Sequence, residues 1–188
     1  MTSTRTEFRR LVVLDEPDAR GETKSKVIAD GTSPDVRTDP ARPDLKIARM
    51  WVTDRTPARI NGIRETLTAL PHTLMPPPGG SLCRVVTFPP EADHAGRIGA
   101  KEVQAFFAAM DAPGISTYSA QAPHPYMQKA AVLEFALVIE GRITLVLDTE
   151  EVHLEAGDTV VQRGTNHAWA NWSNAPCTIA FSAHDAFG

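Results

Sequence analysis

From residue 132 onward the chain is written in twos: bulky apolar side chains recur at every second position in short runs, and each run stops at a glycine or an acidic turn. Val132, Glu134, Ala136 and Val138 fall on one face of a predicted strand, with Leu133, Phe135, Leu137 and Ile139 on the other. After Gly141, the residues Ile143, Leu145 and Leu147 alternate toward one side until Asp148-Thr149-Glu150 turns the chain. Val152 and Leu154 then oppose Glu151, His153 and Glu155, which places His153 in solvent, and Ala156-Gly157-Asp158 turns the chain again. Thr159-Val160-Val161-Gln162 leads into Gly164, the next strand sets His167, Trp169 and Asn171 on a common face, and residues 178–182 close the series. Strands this short, joined this tightly, bury their apolar faces by curling into an antiparallel barrel or jelly roll. The predicted class is all-β.

The first part of the chain fits the same class. Clusters such as Asp30-Gly31-Thr32-Ser33-Pro34 and Asp39-Pro40-Ala41-Arg42-Pro43 favour strands and loops over long helices. Residues 45–52 alternate as a strand with one covered face, Pro76-Pro77-Pro78-Gly79-Gly80 interrupts, and residues 82–88 restart as a strand that Pro89-Pro90 ends. Arg84 shares a face with Leu82, Val86 and Phe88, which leaves two readings. Its guanidinium snorkels to solvent at a sheet edge, or it walls a pocket and its fork holds a substrate carboxylate. One segment departs from the period of two. Val103, Phe106, Phe107 and Met110 fall at helical spacing, predicting a short amphipathic helix whose Phe pair is core. We divide the chain into an N-terminal strand-and-loop extension, residues 1–80, and a barrel, residues 81–188, in one structural unit.

Composition excludes several function classes. A chain of 188 residues with net charge −4 has no basic stretch to bind nucleic acid or an anionic membrane. No run approaches the roughly 20 apolar residues of a membrane span, and the opening residues lack a leader's apolar core, so a cytoplasmic protein is expected. Cys83 and Cys177, each in an apolar strand, read as buried hydrophobes and suggest no disulfide framework.

Two clusters carry chemistry: Glu134 with Gly141 seven residues on, and Gly157 followed by Gly164, His167 and Asn171. This arrangement resembles the cupin superfamily, small jelly-roll barrels marked by two such motifs. Arg9-Arg10-Leu11-Val12, Trp51-Val52-Thr53-Asp54, residues 76–81 and residues 162–169 are also similar to single-domain cupins that include oxidoreductases of fungal polyketide clusters and bacterial relatives. The resemblance implies a cupin barrel, a pocket inside it, and pairing of two copies through N-terminal strands. It also implies a metal site of three His and one Glu, from which this sequence departs. Gln128 and Ala130, or Met127 and Lys129 with a longer spacing, stand where two of the histidines belong. Glu134 and His167 remain, with Gln128 as a third ligand and His124 as a more distant candidate. Such a set would hold one divalent ion, iron, manganese or zinc, or none.

Without a metal, a Glu134 buried among Val132, Ala136 and Val138 would have its pKa raised by desolvation, as suits a general acid or base. His167 would be the second proton carrier. A blander alternative leaves Glu134 merely hydrogen-bonded to His167 or Gln128. Glu134 and His167 are thus the candidate catalytic residues. Arg84, His124, Tyr126, Gln128 and Trp169 are candidates for binding substrate, although His124 also reads as an exposed loop residue, Tyr126 as a cap on the core and Trp169 as a packing residue. Asn171 is expected to stabilise a turn, and His72, His94 and His184 are expected at the surface. The leading function is an oxidoreductase-like enzyme, metal-dependent or not, acting on a small aromatic or polyketide-type metabolite. A metal-free acid–base lyase or isomerase and a non-catalytic small-molecule binding module are the alternatives.

Overall fold

The computed structural model describes residues 8–187. The polar opening run behind the expectation of no leader lies outside the described residues. The fold is all-β with one α-helix, as expected. Strands β1 (Arg9–Pro17) and β2 (Thr23–Thr32) form a hairpin by themselves. β3 (Val36–Asp39), β4 (Arg42–Thr53), β5 (Ser81–Phe88), β6 (Val132–Glu140), β9 (Thr159–Arg163) and β11 (Cys177–Asp185) make a six-stranded antiparallel sheet in the order β3-β4-β5-β11-β6-β9. A second sheet, in the order β10-β7-β8, is built from β7 (Arg142–Leu147), β8 (Glu151–Glu155) and β10 (His167–Ala170). Gln128 extends that sheet at its β10 edge through a reciprocal pair of backbone hydrogen bonds with His167, 2.9 and 3.0 Å. The two sheets form a jelly roll. β4, from the first part of the chain, is hydrogen-bonded directly to β5 in the main sheet.

The core lies between the sheets, where Ile47, Val86, Val138, Ile179 and Phe181 meet Ile143, Leu145 and Trp169. Helix α1 (Ala100–Ala109) covers one end and inserts Val103, Phe106 and Phe107, as its spacing requires. Residues of this size contribute roughly 1.5–3 kcal/mol each when fully buried, so the helix is held by its inserted face. Two motif glycines have steric causes. Gly141 turns β6 into β7 at φ 86°, and a Cβ there would stand 2.7 Å from the carbonyl oxygen of Pro176. Gly164 has φ 69°, with the carbonyl of Ala130 3.1 Å from the place of its Cβ. Both demands fall on backbone, which cannot swing aside.

Some expectations are corrected. β5 runs between β4 and β11, so Arg84 is not at a sheet edge and its guanidinium is buried. Cys83, on the opposite face of the same strand, is exposed, whereas Cys177 is buried as expected. His94 and His72 are not surface residues: His94 is enclosed beside Glu91 at 2.9 Å, and His72 is enclosed beside Asp35 at 2.8 Å. Asn171 does stabilise a turn, donating to the carbonyls of Phe88 (3.0 Å) and Ala175 (2.8 Å). Among the described residues no helix is long and apolar enough to cross a membrane.

Candidate functional site

Sheet register explains how residues far apart in sequence converge. Leu82, Ala183, Glu134 and Gln162 stand opposite one another across β5, β11, β6 and β9, and Arg84, Phe181 and Ala136 form the next row. Residues directly opposite share a face, so both rows point into the barrel. Arg84 and Glu134 are separated by β11, and the long guanidinium arm spans that strand where its side chain is only the methyl group of Ala183. Arg84 Nη2 donates to Glu134 Oε2 at 2.7 Å, Nη1 donates to the Leu74 carbonyl, and the guanidinium carbon lies 5.1 Å from the centre of the Phe181 ring. The buried Glu134 is therefore not an isolated carboxylate in an apolar wall. It carries an ion pair, and the expected hydrogen bond to His167 or Gln128 is replaced by that pair.

His167 is fixed at both the backbone and the ring. Its Nδ1 lies 2.9 Å from the carbonyl oxygen of Thr165, which only accepts, so Nδ1 carries the ring hydrogen. The lone pair of the neutral ring is then on Nε2, which is buried and has no hydrogen-bond partner. Burial lowers the pKa of His167, against the opposing pull of the Thr165 bond and the Glu134 charge, so the neutral form dominates at pH 7. Gln162 presents a second unpartnered atom, its amide Nε2, while Thr165 Oγ1 holds the amide oxygen.

These groups line one of two adjoining chambers inside the barrel. The outer chamber is walled by Glu134, His167, Gln162, Thr165, Met75 and Ile115, among others. The inner chamber is walled by Phe88, Phe106, Tyr126, Trp169 and Phe181, with Arg42 among them. Leu74, Arg84 and Gln128 line both, so they form the boundary.

The structure thus brings Glu134, His167, Arg84 and Gln128 together in the outer chamber and places Tyr126 and Trp169 in the inner one. Burial holds the Tyr126 phenol well above its ordinary pKa, so it remains an O–H donor, here to Asp39 Oδ2 at 2.8 Å. His124 is corrected twice. It is enclosed, not exposed, and it lines neither chamber; its Nε2 faces Glu91 Oε1 at 3.4 Å. Sequence reasoning passed over Gln162 and Thr165, although both stand in the run before His167, and it treated Arg42 as loop punctuation.

Residues 117–183 match the Cupin domain family. The chain carries a cupin domain. A stretch of 49 residues is 45% identical to phomopsin biosynthesis cluster protein C' of Diaporthe leptostromiformis, covering 26% of each protein. Another alignment, of 48 residues, is 42% identical to oryzines biosynthesis cluster protein J of Aspergillus oryzae, covering 25% of this chain and 27% of that protein. The chain spans about a quarter of the length of the curated relatives it matches. Among solved structures, the cupin domain of Schizosaccharomyces pombe Cnp3 aligns with 95% of this chain and 89% of its own, at a TM-score of 0.46 and 8% identity. A cupin 2 conserved barrel domain protein from Salinispora arenicola aligns over 81% and 82%, at 0.40 and 14%.

The resemblance to metal-binding cupins raises the question of whether these residues suit a divalent ion. They do not make a good set. A single imidazole offers a bare nitrogen here, and the carboxylate that would accompany it already holds a guanidinium at 2.7 Å. A second cation beside Arg84 would meet like-charge repulsion in a buried site. Gln128 adds at most an amide oxygen. Among the described residues no three His, Cys, Asp or Glu side chains are grouped to hold a metal. In this cupin domain the positive charge beside Glu134 is a side chain.

Proposed function

We propose that the cupin domain binds a small metabolite in its barrel and that His167 moves a proton on it, as in an isomerase or lyase working without a metal. The observation that carries this reading is the buried, partnerless Nε2 of His167, a residue that lines the outer chamber and whose tautomer the Thr165 carbonyl fixes with the lone pair on Nε2. In the proposed step Nε2 takes a proton from a carbon next to a carbonyl. Negative charge moves to the carbonyl oxygen, where the free amide N–H of Gln162 meets it, and the imidazolium returns the proton at another carbon or to a departing hydroxide. Arg84 offsets the charge of Glu134, so a developing oxyanion does not face a bare carboxylate.

A metal-dependent reading, oxidoreductase or other, would need a ligand set that one imidazole and an arginine-paired carboxylate do not supply. The two fungal relatives are both named as biosynthesis cluster proteins, which supports a small-metabolite substrate; its aromatic or polyketide-type class is carried over from the sequence resemblance. The test is deuterium wash-in. Proton NMR in D₂O would follow exchange of carbon-bound hydrogens in a panel of aromatic 2-keto and 3-keto acids. The wild-type protein is expected to accelerate exchange, and His167→Gln to lose at least ~100-fold of that rate, the range of a positioned acid–base group. No exchange above the buffer rate across the panel would refute the reading and leave a binding module.

We also propose that two copies pair. The β1–β2 hairpin exposes Leu11, Val13 and Val27, while β6 and β9 expose Phe135, Leu137 and Val161. The hairpin is tied to the rest of the chain through Arg10, which donates to Glu65 and the Met50 carbonyl, and a second copy covering its apolar face would bury what those contacts leave exposed.

A further inference from the structure

Arg42 is a buried cation with unused donors. It opens β4 just after a tight turn, and Asp39, its register partner at the end of β3, fixes it there. Asp39 Oδ1 accepts the Ala41 N–H at 2.9 Å, and Oδ2 accepts both Arg42 Nε and the Tyr126 hydroxyl, each at 2.8 Å. The Arg42 guanidinium carbon lies 3.4 Å from the centre of the Tyr126 ring and 5.1 Å from that of Phe106. Its Nε and the face of its guanidinium are thus held. Yet among the described residues neither terminal nitrogen has a hydrogen-bond partner, although only 4% of the residue is exposed and it lines the inner chamber. No carboxylate lines that chamber, whose other walls are mainly aromatic and aliphatic.

From this geometry we propose that the inner chamber is the binding site for an aromatic carboxylic acid, its carboxylate held end-on by the two terminal nitrogens of Arg42. The planar fork matches two carboxylate oxygens, and a guanidinium removed from bulk water gains more from a charged acceptor than from a neutral one. The ring lies among Phe88, Trp169 and Phe181, where edge and face contacts favour an aromatic group. A reacting substituent then extends past Arg84 and Gln128 toward His167. In this last placement the proposal rests on the acid–base reading above.

Opposing charges limit the affinity and define what must be measured. Asp39 already offsets Arg42, and Glu91, occupied by His94 and His124, lies within electrostatic reach. The fork therefore contributes selectivity for an acid over its uncharged analogues more than tight binding.

The test uses benzoate, methyl benzoate and acetate with the full chain, followed by calorimetry and by NMR shifts of the Trp169 indole. Benzoate is expected to bind at least tenfold more tightly than either of the others and to shift Trp169, and Arg42→Lys is expected to bring benzoate within about threefold of the ester. Equal binding of acid and ester, no binding of benzoate, or undiminished preference in Arg42→Lys would overturn the proposal. If Arg42→Lys fails to fold, the acid-to-ester ratio and the Trp169 shift on the wild-type protein still decide it. Benzoate has no hydrogen on a carbon next to its carboxyl group, so its binding is independent of proton transfer. Loss of acid selectivity with deuterium exchange intact overturns the ligand assignment alone. Selective binding with no exchange of any keto acid overturns the acid–base reading alone.

Discussion

Replacing Arg84 with methionine removes the one cation that holds Glu134, and the structure sets the size of the effect. The pair is 2.7 Å long with both side chains 9% exposed, and the same guanidinium also satisfies the Leu74 carbonyl. Arg84→Met keeps most of the side-chain volume, so little of the cost is cavity. What remains is a carboxylate without its counter-charge and a carbonyl without its donor. Removing one partner of a buried pair typically costs about 3–5 kcal/mol, because the charge left behind stays out of water.

Urea unfolding of wild type, Arg84→Met and Arg84→Met/Glu134→Leu at pH 7 would measure this. The single variant should lose about 3–5 kcal/mol, and the double variant should recover most of the loss because no charge is left buried. A loss under about 1 kcal/mol in the single variant, or no recovery in the double variant, would refute a buried Arg84–Glu134 pair.

Other outcomes follow from the same geometry. The exchange rate should be flat above pH 6.5 and fall in acid with an apparent pKa below 6.5, since burial lowers the His167 pKa and only the neutral ring has a lone pair on Nε2; a pH–rate profile checks this. His167 also contributes to stability in that window. Its folded pKa is depressed, so the unfolded chain binds the proton more readily, and stability should decline as pH falls through 6.5, less so in His167→Gln when both are followed by urea unfolding. Gly141→Ala should destabilise by about 1–3 kcal/mol in the same assay, because it combines φ 86° with a Cβ 2.7 Å from the Pro176 oxygen. Pairing of two copies predicts a dimer by light scattering that Leu11→Glu with Val13→Glu converts to a monomer; a monomeric wild-type protein would count against it.

The strand pattern was legible because alternation is a local property, and residues 132–182 turn over at the glycines and acidic turns that the backbone uses. The placement of Glu134 and His167 in one chamber was legible for a related reason: each lies on the inward face of its own strand, and hairpins joined by tight turns keep those faces together. What alternation cannot give is which strand lies beside which. Arg84 reads as an edge residue until the sheet order puts β11, the last strand, against β5. Its contact with Glu134 is then 50 residues long in sequence. Arg42 was hidden more thoroughly, because Asp39-Pro40-Ala41-Arg42-Pro43 has the composition of an exposed turn. It is buried by Tyr126 and α1, which reach it from distant parts of the chain. His94 and His124 escaped for the same reason: each is covered by a carboxylate, Glu91, whose proximity to His124 only the fold creates.

A guanidinium beside the barrel carboxylate changes the chemistry available, not merely the charge. A divalent ion offers open coordination positions, and it makes bound water acidic enough to give up a proton to a base or to solvent. A guanidinium offers N–H groups only, accepts no lone pair, and does not turn water into a nucleophile at pH 7. A barrel whose cation is Arg84 must find its base elsewhere, and His167 Nε2, on a residue that lines the outer chamber, carries a lone pair without a partner. The same substitution explains why Glu134 is poorly placed as that base: its Oε2 is engaged by Arg84, and protonation would break a buried pair. On the proposed reading, proton transfer falls to the imidazole, while Glu134 and Arg84 hold each other. His167→Gln and Glu134→Gln should then differ in kind, the first abolishing deuterium exchange with the fold intact, the second lowering stability with exchange per folded molecule largely retained. Equal loss of exchange in both variants would return the carboxylate to the chemistry.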